Sequence, residues 1–255
     1  MATFFASYET LRGDFRGRIH SSKIPDRGKL HDIAEAWLAA FFDVHIEHIS
    51  FKATFAFQDD PRPLPYPGEE SFQKHWVMST KANALAHIRY VDRDGDLVIA
   101  RTVFDQTGNA QERLWSQWGI DTAQYEIGER RRKGMKYPHT EFSHVSFWDS
   151  DPRRATSLEA RINAIGLELT DLLLGVTADA LQFRPGSSKI GRRHLARKIT
   201  DEIAERFGFR SLRLSRYHRH FSVSLYPDLF GRTYAANPVP AEASSSPRQE
   251  QLLQI

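Results

Sequence analysis

Prolines stand at positions 61, 63, 65 and 67, every second residue of the segment DDPRPLPYPGEE. Each fixes its own φ and lacks a backbone N–H, so neither a helix nor a strand interior can run through them. The segment reads as an extended surface linker, and it sets the organisation of the chain. Residues 1–57 form an N-terminal helix–strand extension, 58–83 the Pro-rich linker and its lead-in, 84–235 the main domain, and 236–255 a polar tail without periodicity.

A chain of 255 residues suits one large domain or two small ones. Hydrophobic residues make up 40% and charged residues 26%, a globular composition. The absence of cysteine excludes disulfides, thiolate zinc sites and thiol nucleophiles. No apolar run approaches the roughly 20 residues of a membrane span. The apolar part of the N-terminus is too short for a signal peptide. A soluble cytoplasmic protein with no membrane partner is therefore expected. A net charge of +3 with a pI near 9.1 is compatible with a polyanionic ligand.

Periodicity supplies the elements. Leu30, Ile33, Ala34, Trp37, Leu38 and Phe41 recur at helical spacing, which predicts a helix over 29–42. In 44–57 the apolar residues Ile49, Phe51, Ala53, Phe55 and Phe57 alternate with His48, Ser50, Lys52 and Thr54, the pattern of a strand. The segments ALAHIRYV and LVIARTVF flank DRDGD, which reads as a hairpin. A polar stretch carrying Arg130, Arg131, Arg132, Lys133 and Lys136 precedes EFSHVSFW, which reads as another strand. TSLE at 156–159 is a capping box opening a short helix to about Ile165, with Gly166 near its end. LELTDLLLGVTADALQF reads as one or two buried strands. Leu195, Ile199, Ile203 and Phe207 mark the clearest helix of the chain, and YHRHFSVSLYP follows it as a last strand. Helices alternating with amphipathic strands imply an α+β fold with helices on one face of a sheet.

Two of these strands carry the same pattern. SHVSFW places His144 and Ser146 on one face, with Val145 and Phe147 on the other. RHFSVSLY places His220 and Ser222 on one face, with Phe221 and Val223 on the other. Two imidazoles can hold opposite protonation states near neutrality, one taking a proton from an attacking hydroxyl and one giving a proton to a leaving oxygen. Two hydroxyls two residues further on could donate hydrogen bonds to the non-bridging oxygens of a phosphate. Trp148 and Tyr226 fall on the histidine faces, where an aromatic ring could stack on a base. Arg219, with Arg210, Arg213 and Arg216, could attract phosphates. The same His-x-Ser spacing recurs at 20–22 and 48–50, so the spacing alone is a weak signal. No glycine-rich phosphate loop is present.

The paired motifs HVSF at 144–147 and HFSV at 220–223, with a long helix just before the second, resemble the two-histidine (2H) phosphoesterase superfamily over about 84–229. The Ser form of the motif looks like the branch that includes spliceosomal RNA-trimming phosphodiesterases. The resemblance implies a bilobal antiparallel-sheet fold with helices packed on the outer faces. It implies His144 and His220 as the acid/base pair, Ser146 and Ser222 as phosphate-binding hydroxyls, and no metal or other cofactor. Its substrate would be RNA ends, oligonucleotides or cyclic nucleotides. Arg219, in the position before His220, departs from the small or apolar residue more typical there. The alternative expectation is a non-enzymatic nucleic-acid-binding or viral or particle assembly protein, motivated by the Pro-rich segment, the basic clusters and the tail.

Overall fold

The computed structural model describes residues 2–46, 49–55, 71–88, 96–106, 110–181, 190–208 and 219–225. These fall into two compact units. One is built from Met1–Phe51 and Trp148–Val223, the other from Lys52–Phe147 with Ser224 and Leu225. Helix and strand are mixed throughout, a fold of the α+β kind with short two-stranded sheets.

The first unit is mainly helical: α1 (Ala2–Arg12), α2 (Lys29–Ala40), α5 (Leu158–Leu181) and α6 (Ile190–Phe207). The predicted α2 stripe is real, since Ile33, Ala34, Trp37 and Leu38 are buried. The helix continues through a wider π-type turn, Phe41–His45. That turn takes up the start of the expected 44–57 strand, and β1 is confined to Phe51–Phe55. Both rings of Phe41 and Phe42 are buried by the extension, which accounts for the helix persisting there.

Helix α5 overturns the reading of a short helix followed by buried strands. It runs unbroken for 24 residues. Ile165, Leu169, Leu172, Leu173, Val176 and Ala180 are all buried on it, at helical spacing. A helix covered on most sides shows a near-continuous apolar run, and such a run cannot be told from a strand by periodicity alone. Gly166 does not end it. The N-cap is Ser157, whose hydroxyl accepts the Ala160 N–H at 3.1 Å, one residue later than the expected Thr156.

Inside this unit a buried carboxylate on α5 organises its neighbours. Glu168 accepts from the Arg12 guanidinium at the end of α1 and from the Ile19 N–H at 2.6 Å. The Arg12 guanidinium lies 5.2 Å from the centre of the Trp37 ring on α2, and Trp37 donates its indole N–H to the Tyr8 carbonyl at 3.0 Å. The short turn Ser21–Lys23 seats on α5, where the Ser21 N–H donates to Asp171 at 2.7 Å.

The second unit contains α3 (Ser71–Ile88), β2 (Asp96–Ile99), β3 (Thr102–Asp105), α4 (Ala110–Arg132), β4 (His139–Phe142) and most of β5 (Val145–Trp148). The segment ALAHIRYV is not the first arm of a hairpin, because 84–88 close α3; residues 89–95, which include most of DRDGD, lie outside the described residues. Strand β2 pairs with β4 in parallel, Asp96 opposite His139 through Ile99 opposite Phe142. The expected antiparallel sheet is thus replaced here by a parallel β2–β4 pair whose connection runs through β3 and α4. Helix α4, read only as a polar stretch, buries a narrow stripe of Ser116, Gly119, Ile120, Ala123 and Ile127. It packs on α3, where Trp76 donates its indole N–H to the Ser116 hydroxyl at 3.0 Å.

Gly175 is required by close approach. A Cβ built there would lie 2.2 Å from the Ser21 Cβ. Glycine to alanine inside a helix ordinarily stabilises by up to about 1 kcal/mol. Here the collision must displace the turn, and overpacking of that kind costs about 1–3 kcal/mol. Gly175→Ala is therefore expected to lower the urea midpoint of unfolding. An unchanged or raised midpoint would mean that the turn does not rest on α5 at this residue.

Candidate active site

The expected strand EFSHVSFW is two strands with a break at Ser143 and His144. The pairing is carried across the break: the Ser143 N–H donates to the Ile99 carbonyl at 3.0 Å, and the Thr102 N–H donates to the His144 carbonyl at 2.7 Å. The backbone of His144 is therefore held by β3, while its side chain is exposed. Ser146, half-buried on β5, donates to the Thr102 carbonyl at 3.5 Å, a long and weak contact that leaves the hydroxyl easily redirected. On the alternate face, Phe147 stacks on Phe104 with ring centres 5.5 Å apart and lies beneath the Arg113 guanidinium.

The second motif enters its strand in the same way. His220 immediately precedes β6 (Phe221–Leu225), and its carbonyl accepts the Phe51 N–H at 2.7 Å. In both copies the histidine stands one residue ahead of a strand, the serine is the strand's second residue, and the histidine carbonyl takes the N–H of the partner strand's first residue. Strand β6 pairs with β1. The Phe221 ring packs against Phe42 and Phe51, with centres 5.9 and 5.0 Å away.

Differences between the copies matter as much. Ser222 is 3% exposed and lies between the equally buried Phe221 and Val223, so the open polar face expected for β6 is covered. Alternation identified the two faces of the strand but not the elements that pack on the polar one. His220 keeps part of its surface. Arg219 is exposed, Trp148 is half-buried at the end of β5, and Tyr226 lies outside the described residues, as do Arg210, Arg213 and Arg216. His144 and Ser146 belong to the second unit; Trp148, Arg219, His220 and Ser222 belong to the first. The basic run at the end of α4 is partly consumed locally, since Arg130 binds Glu126 and the Tyr137 hydroxyl and Arg132 binds Glu129. Among the described residues, no group of three or more His, Asp or Glu is placed to hold a metal ion.

Comparison with protein families, curated proteins and solved structures finds no match to this chain.

One ionisable group that sequence reading passed over stands out. Alternation puts Lys52 on the polar face of β1, yet it is 8% exposed, and burial pulls its pKa down to about 8. The neighbouring polar position, Thr54, is also engaged, donating to Asn83 on α3 at 2.9 Å. A clue in the sequence was the polarity of a strand with a helix available to cover it, which alternation alone does not weigh. With a folded pKa near 8 against 10.5 for the free side chain, the unfolded chain binds more protons between those values. Stability should then rise with pH across that window, by at most about 3 kcal/mol from this group. Urea unfolding at pH 8 and pH 10 should show this rise in the native protein and a smaller one in Lys52→Met. Equal pH dependence in the two would contradict the burial of the ammonium.

Proposed function

We propose that this chain is a metal-independent phosphodiesterase that uses His144 and His220 as a general acid/base pair on RNA ends, oligonucleotides or cyclic nucleotides. The observation that supports the reading most is the shared build of the two His-x-Ser segments. Each histidine is fixed by its carbonyl to a partner strand at 2.7 Å and stands one residue ahead of its own strand. A backbone anchored in this way limits the reach of the side chain, which is what a proton-transfer group needs.

In this mechanism the neutral imidazole takes the proton from the attacking hydroxyl or water. The protonated one gives its proton to the oxygen that leaves phosphorus, and the two return to their starting states after proton exchange with solvent. Ser146 and Ser222 hold the non-bridging oxygens; of the two, Ser146 keeps exposed surface and carries the larger share. Arg219 adds positive charge beside His220, and Trp148 supplies a ring for a base. The reading includes a bilobal arrangement in which both imidazoles act on one phosphate; the antiparallel sheet of that arrangement is not part of it, given the parallel β2–β4 pair.

The test is hydrolysis of short RNAs with 2′,3′-cyclic or 3′-hydroxyl ends, and of cyclic nucleotides, in the presence of EDTA. Turnover by the native protein with a bell-shaped pH profile is expected, together with a loss of about 10²–10⁴-fold in His144→Ala and in His220→Ala. Full activity in either variant would sink the assignment. Salt-sensitive RNA binding with no turnover on any of these substrates would favour the non-enzymatic alternative.

A further inference from the structure

A second, chemically distinct place lies wholly within the first unit. The end of α1, the turn after it, the turn before α5 and the first turn of α5 enclose a cavity of about 240 Å³. One water needs roughly 10–15 Å³ of such space, so there is room for a polyatomic anion and part of whatever carries it. Four guanidinium groups line it, those of Arg12, Arg16, Arg153 and Arg161, against one carboxylate, Glu9.

Their present bonds show how much charge is available. Arg12 is committed: it is 5% exposed, pairs with Glu168 and donates to the Gly17 carbonyl at 2.9 Å. Arg153 is held by Asp151 through Nε at 2.9 Å and Nη2 at 2.6 Å, which orients the guanidinium and leaves Nη1 over. Arg161 pairs with Glu9 across a partly exposed contact, of the kind that exchanges readily for a better anion. Arg16 is exposed and makes no ion pair or hydrogen bond among the described residues. Even when Asp151 and Glu168 are counted with Glu9, one positive charge is left unmatched.

The cavity also has an aromatic wall. The Phe15 ring folds back over Gly17, where an added Cβ would lie 2.7 Å from it, and Phe15 lines the cavity. Guanidinium forks match phosphate oxygens in geometry, and a flat aromatic face takes a heterocycle.

We infer that this cavity binds a phosphomonoester joined to a flat ring, such as a nucleoside monophosphate, with Arg16, Arg153 and Arg161 on the phosphate and Phe15 against the ring. Arg12 is a positioning residue: it holds the floor of the cavity through Glu168. The inference is independent of the two-histidine reading, because neither His144 nor His220 lines the cavity.

Calorimetric titration of the full chain at low ionic strength tests it, with adenosine 5′-monophosphate, adenosine and inorganic phosphate as separate probes. The monophosphate should bind saturably and at least ten-fold more tightly than either other probe. Arg16→Ala and Arg161→Ala should each weaken it ten-fold or more, Arg16→Lys less, and the α6 surface change Arg197→Ala not at all. Phe15→Leu should erase the preference for the monophosphate over free phosphate. The replaced arginines are exposed, and an unchanged circular dichroism spectrum establishes that each variant is folded. Absence of saturable binding, or equal affinity in the native, Arg16→Ala and Arg161→Ala proteins, would overturn the site. A preference that survives Phe15→Leu would overturn the aromatic wall.

Discussion

The carboxylate of Glu168 is the constraint on which the first unit depends. It sits on a helix buried over most of its circumference, so its charge can persist there only with partners. Burial pushes its pKa up to about 7, while Arg12 and the Ile19 N–H pull the other way. Those two partners come from the end of α1 and from the chain beyond it, so satisfying one carboxylate fixes where both must lie. Arg12 in turn rests on Trp37, whose indole is bonded to Tyr8, and α2 is thereby tied to the same point. The seating of Ser21 against Gly175 and Asp171 is the next link along the same face of α5. Apolar burial supplies most of the driving force, and the buried pair sets register, since a slip of one helical turn would strand two charges.

Much of this was legible only in part. The stripes of α2 and α6 were plain because each is apolar on one side and polar on the other. Helix α5 was hidden by its own burial: LELTDLLLGVTADAL lacks the polar face that separates helix from strand. Helix α4 was hidden for the opposite reason, since its buried stripe is narrow and includes Ser116 and Gly119. The parallel pairing of β2 with β4 could not be read at all, because strand direction is set by the crossover through α4 and not by either strand's residues.

The candidate site shows the same division. The His-x-Ser alternation of both segments was readable, although it carries the strand through His144 and His220, where the structure sets each of them one residue ahead of its strand. The break between β4 and β5, the burial of Ser222 and the burial of Lys52 were not. All three depend on what packs against a strand from elsewhere in the chain. Sequence pattern thus reached the two His-x-Ser segments, and tertiary packing decided where each strand begins and how deeply each serine is buried.

The central functional claim is that two histidines from different parts of the chain serve one phosphate. The most direct measurement is the NMR response of His144 and His220, labelled at Cε1, to titration with a nucleoside 3′-monophosphate. Both imidazole signals should shift along the titration with one shared dissociation constant. A response from one histidine alone, or from neither, would contradict the account.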